Sequence, residues 1–593
     1  MQDQLALFVG EVGLRFQDLD FSLFEEWTRI RGHIPEFWKF NNDGREFLVG
    51  QSIKDRGLSA DFPVVLIPGV ISTGLESWTT GPEYRPFFRQ KVWGSLGMLQ
   101  QVTFNKERWI SMMMLDPVTG LDPPDIKVRS AEGIEAASSF IQGYWIWSKI
   151  VENLAVVNYD TNNLHLAPYD WRLSYYNLEE RDGYFSRLKS TIEGFKRRQG
   201  KKTVLTAHSM GSTVMLYFFK WVESPEHGGG GPSWVEDHIE AFVSIAGTHL
   251  GVAKAMSAFL SGEMRDTVQM NPAASYVLEQ FFSRKDRQKL FRSWAGSASM
   301  WIKGGSAIWG NSSHAPDDQE DHHETHGELI SFRATSESAN ISSEAIISSD
   351  AERKPMTADE ASLWILEHTS STFQKMVATN YSFGIERDEE KLKQNDADHT
   401  KWTNPLEIRL PYAPSMKMYC VYGHGKPTER SYWYTRGPND YDDDLADAIN
   451  PRCADPAADC YTPRPPLDLP LSRTSWIDYE YTNDTVQPPI INGVRLGEGD
   501  GTVSLVSLGA MCVEGWKRPR WNPANIDVKT IELPHLPIPS LVRGGANTSD
   551  HVDILGSTRL NEIILQVATG VGDEVKENFV SNIREYAKRM QWD

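Results

Sequence analysis

A β-branched run that stops at a serine and continues as an apolar helix constrains this chain more than any other feature. Residues 203–208 predict a buried strand, and residues 210–219 predict a helix. Between them, Ser209 lies in a small-x-Ser-x-Gly pattern that begins at Ala207. Small residues permit the tight strand-turn-helix that exposes a serine hydroxyl at its tip, the arrangement called a nucleophile elbow. The stretch therefore predicts an α/β sheet with Ser209 as its nucleophile.

The charge of the chain argues against nucleic acid as a partner. The 593 residues carry a formal net charge of −20 without blocks of lysine and arginine, whereas nucleic-acid phosphates require such clusters. The same charge opposes long-range attraction to anionic membranes, so contact with lipid would depend on apolar and aromatic side chains. No run reaches the roughly 18 apolar residues of a membrane span, and the N-terminal residues are too acidic for a signal peptide. We expect the chain as given to be soluble or peripheral.

A second strand is predicted before the elbow. Residues 63–70 form a continuous apolar run that ends in a turn, as buried parallel strands do. In a hydrolase-type sheet, the loop after such a strand supplies one backbone N–H of an oxyanion hole, and the residue after the nucleophile supplies the other. Val70 and Met210 are therefore the predicted oxyanion donors, each worth ~3 kcal/mol of barrier lowering.

Chain order predicts which histidine is the base for Ser209 and which carboxylate orients that histidine. A serine hydroxyl becomes nucleophilic when a histidine takes its proton and a carboxylate orients that histidine. In this class of sheet the order along the chain is Ser, Asp, His. Asp500 lies in a glycine-rich turn, with Glu498 as its competitor. His551 lies in a glycine-rich loop that opens a terminal helix, with the proline-bracketed His535 as its competitor. We predict Asp500 and His551.

Other polar residues near the predicted strands are interpreted as structural. Asp170 and Arg172 flank Trp171 after a strand and can pair with each other, so we predict a charged staple at the strand end. His208 precedes the nucleophile, and we expect its ring to point away from Ser209.

The stretch 78–115 is rich in large apolar residues and has little periodicity. Tryptophan and methionine suit a boundary between hydrocarbon and water, and the same composition suits a buried subdomain. Both interpretations stay open at this point. If the stretch contacts substrate or membrane, Trp78, Trp93 and Trp109 are its candidate contact residues.

The strand-helix rhythm divides the chain into a core in two parts and three additional segments. The core parts are residues 59–250 and 406–593, and the additional segments are an N-terminal arm at 1–58, a cap or lid insertion at 251–405 and an Asp- and Pro-rich surface insertion at 437–470. A lid works by excluding water and opening onto substrate.

Part of the predicted cap is polar. Residues 311–354 are rich in Ser, Asp, Glu and His, and we predict that they are loosely ordered. The histidine-rich run 322–326 lacks the helical H-E-x-x-H spacing, so we predict no metal site there.

The cysteines and glycosylation sequons point to an oxidising compartment. The even number of cysteines permits two disulfides without revealing their connectivity, and the candidates are Cys420, Cys453, Cys460 and Cys512. Free buried thiols are the alternative. Five acceptor sequons favour a secretory lumen, and they lie at Asn311, Asn340, Asn380, Asn483 and Asn547. We predict that the thiols are oxidised.

Several blocks, taken together and in order, resemble the lecithin:cholesterol acyltransferase family. They are Ile67-Pro68-Gly69-Val70 with Ser72 to Trp78, Ala167 to Arg172, His208-Ser209-Met210-Gly211, Glu498 to Val503, and Ala546 to Gly556. The resemblance implies an α/β-hydrolase fold in which residues 78–115 form a membrane-contacting subdomain and the insert after Gly251 forms a cap with a lid. It also implies that Ser209, Asp500 and His551 are the catalytic triad.

The resemblance extends to the cysteines, with departures elsewhere. It implies that Cys420 pairs with Cys512, which leaves Cys453 and Cys460 to pair locally. Ala207 replaces the usual glycine of the elbow, Ser504 replaces a usual proline, and the stretch 78–115 lacks a disulfide found in plasma relatives. None of these departures removes a predicted catalytic group.

The resemblance also implies an activity. The members most like this chain would transfer an acyl group from phospholipid to diacylglycerol through an acyl-serine, giving triacylglycerol and lysophospholipid without metal, nucleotide or other cofactor. A phospholipase that uses water as acceptor has the same triad, and a lipid-binding protein with an inactive triad is a third hypothesis. Labelling of Ser209 by a fluorophosphonate separates the third from the others.

The same resemblance implies a location at a membrane surface on the lumenal side of the endoplasmic reticulum. Yeast-like members carry an N-terminal membrane anchor, and this sequence lacks one, so it would begin after the anchor. The oligomeric state is not predicted.

Overall fold

Six parallel strands form the central sheet. They are β1 (Val64–Ile67), β2 (Leu164–Leu166), β3 (Thr203–His208), β4 (Ile239–Ile245), β5 (Lys417–His424) and β6 (Asp527–Pro534), in the spatial order β6-β5-β4-β3-β1-β2. Each neighbouring pair is parallel. All residues of β1 and β3 are buried, as expected of β-branched runs in a parallel sheet that is covered on both faces. The computed structural model describes residues 47–141, 144–269, 282–321, 323–333, 355–367, 371–436, 475–541 and 543–593.

Helices connect these strands and surround the sheet. The α-helices are Leu48–Asp55, Leu96–Phe104, Lys106–Met113, Glu135–Ser138, Ser148–Val156, Tyr175–Asp182, Tyr184–Gln199, Met210–Glu223, Trp234–His238, Ala253–Ser261, Arg265–Val268, Arg284–Ser293, Ala295–Ala298, Gly305–Trp309, Ala358–Glu367, Ser371–Asn380, Glu389–Asn395, Leu505–Val513, Thr558–Ala568 and Ile583–Arg589. Short 3-10 helices are Arg85–Phe87, Gly515–Lys517, Asp553–Gly556 and Gly572–Glu574. Within the described residues, no helix is both long enough and apolar enough to cross a membrane.

A second, mixed sheet joins the predicted cap to the second part of the core. Its strands, in spatial order, are Met356–Thr357, Glu328–Phe332, Thr428–Arg436, Val494–Gly497 and Ile490–Ile491, and Ser475–Ile477 pairs with Thr428–Arg436. The strand Glu328–Phe332 differs from the loose order predicted for residues 311–354. Its Leu329, Ile330 and Ser331 are buried, because this short apolar run pairs in parallel with Thr428–Arg436. Residues 334–354 lie outside the described residues.

The stretch 78–115 contributes one strand, Lys91–Trp93, to the first of two small sheets. Leu75–Ser77 pairs with Lys91–Trp93 and with Val128–Ser130, and Ser139–Ile141 pairs with Tyr144–Trp145. Two consecutive helices, Leu96–Phe104 and Lys106–Met113, follow the strand Lys91–Trp93. Their breaks at Ser95 and Asn105 explain why no single helical period is visible in this stretch.

A buried ion-pair cluster fixes the end of β2. The Arg172 guanidinium donates to both oxygens of Asp170 at 2.9 and 2.6 Å, and Arg181 donates to Asp170 at 2.8 Å. Arg172 also donates to Asp122 at 3.1 Å and to the Met112 carbonyl at 3.1 Å. Although burial opposes ionisation of Asp170, the two guanidiniums outweigh it and hold the pKa of this carboxyl well below its usual range. The pairing of Asp170 with Arg172 agrees with the predicted staple.

The disulfide joins β5 to the helix Leu505–Val513 through Cys420 and Cys512, the pair that the family resemblance implies. Cys453 and Cys460, and the whole predicted insertion 437–470, lie outside the described residues. So does the predicted arm as far as residue 46.

Candidate active site

Ser209 occupies a strained turn between β3 and the helix Met210–Glu223. Its φ of 56° and ψ of −128° fall in a region that L-residues rarely adopt, at a cost of ~1–3 kcal/mol. A Cβ on Gly211 would lie 2.5 Å from the Pro68 carbonyl oxygen, so this position requires glycine. Ala207 is fully buried on β3, where its methyl group is accommodated. The elbow predicted from the sequence is therefore present around Ser209.

The structure brings Ser209, His551 and Asp500 together from three distant parts of the chain. The Ser209 hydroxyl lies 2.8 Å from Nε2 of His551, and Nδ1 of His551 lies 2.6 Å from Oδ2 of Asp500. All three side chains are buried. When Nδ1 carries the proton, it donates to Asp500 and leaves Nε2 as the acceptor for the serine proton, which is the arrangement that activates a serine nucleophile.

Asp500 is held by its own turn. Oδ1 accepts hydrogen bonds from the backbone N–H groups of Thr502 at 3.0 Å and Val503 at 2.8 Å. The His551 N–H donates to the Asp500 carbonyl oxygen at 3.0 Å. Oδ1 is thus occupied by backbone, and Oδ2 is directed to the His551 ring. These contacts fix both the rotamer of Asp500 and its distance from His551.

His208 has a role that sequence reasoning missed. Its ring lies close to that of His551, with centroids 5.1 Å apart, and its Nε2 lies 2.7 Å from the His551 carbonyl oxygen. Burial, reinforced by His551, lowers the pKa of His208 to about 3, so the neutral ring donates from Nε2. The sequence predicted that the His208 ring points away from Ser209, but it did not predict which group the ring contacts. The adjacency of His208 to the nucleophile was the signal that could have suggested it.

The two competitors have other contacts. Glu498 lies 3.8 Å from His424 Nε2, and its nearby carboxylate raises the pKa of His424. His535 accepts the Ser549 backbone N–H on Nδ1 at 3.2 Å. His535 therefore supports the loop that carries His551, in keeping with its interpretation as structural.

The predicted oxyanion donors lie on two segments in close contact. We call residues 68–73 the oxyanion loop. A Cβ on Gly69 would lie 2.9 Å from the Ser209 Cβ, so this loop packs directly on the nucleophile. Among the described residues, no acceptor pairs with the backbone N–H of Val70 or of Met210. Both donors remain available for an oxyanion beside Ser209.

The three candidate contact tryptophans occupy different environments. Trp78 is 41% exposed, stacks edge-on against Phe88 and lies under the Arg89 guanidinium. Trp93 and Trp109 are buried, and their indole N–H groups donate to the carbonyls of Ile71 and Val92 at 2.8 and 2.7 Å. In this conformation Trp93 and Trp109 contact protein, which leaves Trp78 as the exposed member of the set.

Metal binding finds little support in the described residues. One group there, His249 with Cys420 and Cys512, has metal-ligand spacing, but its sulfurs are joined in the disulfide and cannot coordinate as thiolates. In the histidine run, His323 accepts the Gln487 backbone N–H on Nδ1, and His322 lies outside the described residues.

Comparison with known proteins assigns the family. The model of lecithin:cholesterol acyltransferase matches residues 87–558. This chain belongs to the lecithin:cholesterol acyltransferase family. The match includes Ser209, Asp500 and His551, whereas Val70 precedes it.

Individual members of the lecithin:cholesterol acyltransferase family are similar over most of the chain. The phospholipid:diacylglycerol acyltransferase of Schizosaccharomyces pombe is 43% identical over 93% of this chain and 79% of its own length. The protein of the same name from Saccharomyces cerevisiae is 41% identical over 92% of this chain and 76% of its own length. Phospholipid:diacylglycerol acyltransferase 1 of Arabidopsis thaliana is 32% identical over 91% of this chain.

Proposed function

We propose that this protein transfers a fatty acyl group from a phospholipid to diacylglycerol, without acyl-CoA, and releases triacylglycerol and lysophospholipid. The observation that carries the proposal is the hydrogen-bonded series Ser209, His551 and Asp500 at 2.8 and 2.6 Å in a chain that is 43% identical to a fungal enzyme named for this reaction.

The first half-reaction loads the enzyme. Ser209 Oγ attacks the ester carbonyl carbon of the phospholipid while its proton passes to Nε2 of His551. The backbone N–H groups of Val70 and Met210 stabilise the resulting oxyanion. The carbon–oxygen bond to the glycerol then breaks, and His551 returns the proton to the departing lysophospholipid oxygen. The acyl group remains as an ester on Ser209.

The second half-reaction repeats these steps with a different alcohol. The diacylglycerol hydroxyl gives its proton to His551 Nε2 and attacks the acyl-serine carbonyl carbon, again through an oxyanion at the same two N–H groups. The bond between the acyl carbon and Ser209 Oγ then breaks, triacylglycerol leaves, and His551 returns the proton to Ser209 Oγ. Neither half-reaction includes an oxidation or a reduction. The choice between diacylglycerol and water as acceptor depends on water exclusion above Ser209.

The proposal includes an α/β-hydrolase core with a cap at residues 251–405 and a membrane-contacting subdomain at 78–115. Support for the cap comes from Ser299, which lies 3.1 Å from the Tyr175 hydroxyl, while that hydroxyl lies 3.4 Å from the Met210 carbonyl oxygen. Support for membrane contact comes from the exposure of Trp78, Phe88 and Phe104. The Cys420–Cys512 disulfide supports a location in the oxidising lumen of the endoplasmic reticulum.

The test uses purified protein with vesicles that contain phospholipid labelled in its acyl chains, with and without diacylglycerol. We expect labelled triacylglycerol and lysophospholipid in equal amounts when diacylglycerol is present. Ser209→Ala removes the nucleophile and abolishes both products, and a fluorophosphonate labels the wild type but not this variant.

Two outcomes would contradict the proposal. Release of labelled fatty acid without triacylglycerol, at every diacylglycerol content, would identify a phospholipase. Folded wild-type protein that neither reacts with the fluorophosphonate nor turns over lipid would identify a binding protein.

A further inference from the structure

The oxyanion loop contains a backbone conformation that needs external support. Ile71, directly after Val70, has a φ of 57°. A β-branched residue at positive φ is an outlier, because its side chain crowds the backbone there. Such a conformation persists only where surrounding contacts over-determine it. The question is which contacts keep Ile71, and with it the Val70 N–H, in place.

Three aromatic side chains hold the carbonyl groups of this loop. Nε1 of Trp93 donates to the Ile71 carbonyl oxygen at 2.8 Å, and Nε1 of Trp171 donates to the Thr73 carbonyl oxygen at 3.0 Å. The Tyr169 hydroxyl donates to the Pro68 carbonyl oxygen at 2.9 Å. Of the three, the Trp93 bond acts on the residue with positive φ.

Trp93 is itself fixed by a buried aromatic cluster. Its ring lies 5.3 Å from Trp171 and 5.4 Å from Phe140, and 6.4 Å from each of Trp109 and Trp294. Trp109 belongs to the helix Lys106–Met113, and its indole N–H donates to the carbonyl of Val92, the neighbour of Trp93. Trp93 therefore has little freedom to turn, and its N–H is aimed at Ile71 by packing.

We propose that Trp93 is a positioning residue for the oxyanion hole: its indole N–H holds Ile71 at positive φ and thereby keeps the Val70 N–H directed at the oxyanion beside Ser209. This inference rests on the proposed function. Both half-reactions pass through an oxyanion at the same site, so loss of the Trp93 hydrogen bond slows both. The division of the acyl group between diacylglycerol and water then stays unchanged.

The first experiment removes the N–H and keeps the ring. Protein that carries β-(3-benzothienyl)alanine at position 93 keeps the bicyclic shape and lacks the donor, and Trp93→Phe lacks the donor and part of the ring. We expect kcat for acyl transfer to fall about tenfold in each, because partial loss of one oxyanion donor costs less than its complete removal. The KM for vesicles and the ratio of triacylglycerol to fatty acid stay at wild-type values.

Trp294→Phe is the matched control. Trp294 is a buried member of the same cluster, and its indole N–H donates to the Met113 carbonyl oxygen at 2.8 Å, away from the oxyanion loop. We expect its kcat within about twofold of wild type, since a phenyl ring at position 294 still packs against Trp93 and the Trp93 N–H still donates to Ile71. Thermal midpoints of both variants are measured alongside.

A double-mutant cycle tests the mechanism. Glycine adopts positive φ without strain, so in an Ile71→Gly background the effect of Trp93→Phe on kcat should shrink from about tenfold to below about threefold. Equal effects in both backgrounds would overturn the inference, as would a benzothienyl variant with wild-type kcat. The proposed function fails separately, when the wild type itself makes no triacylglycerol.

Discussion

Two sides of Ser209 are held in different ways. On one side the loops of Asp500 and His551 are fixed mainly by their own backbone and by each other: Asp500 accepts two N–H groups of its own turn, and the His551 N–H donates to the Asp500 carbonyl oxygen. On the other side the oxyanion loop is held from outside, by Tyr169, Trp93 and Trp171. The first side depends mainly on contacts within and between the Asp500 and His551 loops, and the second depends on side chains from other segments.

The difference decides what each side tolerates. The Asp500 turn is held largely by its own backbone contacts, so the largest losses on that side are expected from substitution of the proposed catalytic residues themselves. A loop held by external donors can be altered from positions that never touch substrate. The following predictions probe the two sides in order of decreasing free energy.

The largest effect is expected on the self-fixed side. Asp500→Asn replaces the acceptor of the His551 Nδ1–H by an amide, which favours the wrong tautomer of His551. We expect kcat to fall on the order of 10⁴-fold with folding retained. Steady-state assays on mixed vesicles measure the loss. Glu498→Gln is the matched control, and it should stay within about threefold of wild type because Glu498 contacts His424 and not His551. Comparable losses in both variants would remove Asp500 from the triad.

Stability is the next largest expected effect, and it concerns the segment that carries Tyr169 and Trp171. Asp170→Asn leaves the buried Arg172 with Asp122 as its remaining carboxylate partner and removes one carboxylate from Arg181. We expect a cost of ~3 kcal/mol in unfolding free energy, measured by denaturant titration. Arg187→Gln is the control. Its ion pair with Glu132 is exposed, so we expect a loss of at most ~1 kcal/mol.

The contribution of Asp170 to the free energy of unfolding depends on pH. Folding lowers the pKa of Asp170. Burial of the carboxyl acts to raise this pKa, and the guanidiniums of Arg172 and Arg181 outweigh the effect of burial. Its contribution is therefore complete above the usual aspartate range and is lost as pH falls through the lowered pKa. Denaturant titrations of the wild type and Asp170→Asn should converge as the solution is acidified. A constant difference from neutral pH down to strongly acidic pH would show that the cluster is not ionic.

Sequence reasoning reached the self-fixed side because its determinants are local. The elbow, the glycine-rich turn of Asp500 and the loop of His551 are short patterns whose backbone requirements are visible in the residues themselves. The parallel sheet followed from apolar runs for the same reason. The aromatic supports of the oxyanion loop have no such pattern: Trp93 is one of 20 tryptophans, and only packing shows that its N–H reaches Ile71. Composition left both a core role and a lipid-facing role open for Trp93, and in the structure its side chain is buried.

The second sheet shows the same limit. The polar composition of residues 311–354 predicted loose order. The short apolar strand Glu328–Phe332 within them is ordered because it pairs with Thr428–Arg436, about 100 residues later, and a pairing over that distance is not visible in the local sequence. His208 was likewise visible as a neighbour of Ser209, but its hydrogen bond to the His551 carbonyl requires the fold.

His208 links the two kinds of support, since it comes from β3 but acts on the His551 loop. His208→Phe keeps an aromatic ring and removes the donor to the His551 carbonyl oxygen, so we expect kcat to fall about tenfold, the equivalent of one hydrogen bond of ~1.4 kcal/mol. His208→Gln keeps an N–H donor at the position of Nε2, and its kcat should stay within about threefold of wild type.

The pH profile separates this role from proton transfer. Because the pKa of His208 is about 3, the ring is neutral throughout an ordinary assay range. The acid limb of the rate profile should therefore lie at the same pH in His208→Gln and in the wild type. A shift of that limb in the Gln variant would make His208 a titrating participant rather than a support for His551.

The smallest effect is expected for a single external donor at the near end of the oxyanion loop. Tyr169→Phe removes the hydroxyl that donates to the Pro68 carbonyl oxygen, and we expect kcat to fall about threefold, because Trp93 and Trp171 still hold the rest of the loop. Tyr184→Phe is the matched control, since its hydroxyl donates to the Ala167 carbonyl oxygen at 3.1 Å, beside the same strand end but off the loop. Stopped-flow acylation by a p-nitrophenyl ester resolves differences of this size. If Tyr184→Phe slows acylation as much as Tyr169→Phe does, the sensitivity belongs to the end of β2 as a whole, and the oxyanion loop is then held by Trp93 and Trp171 alone.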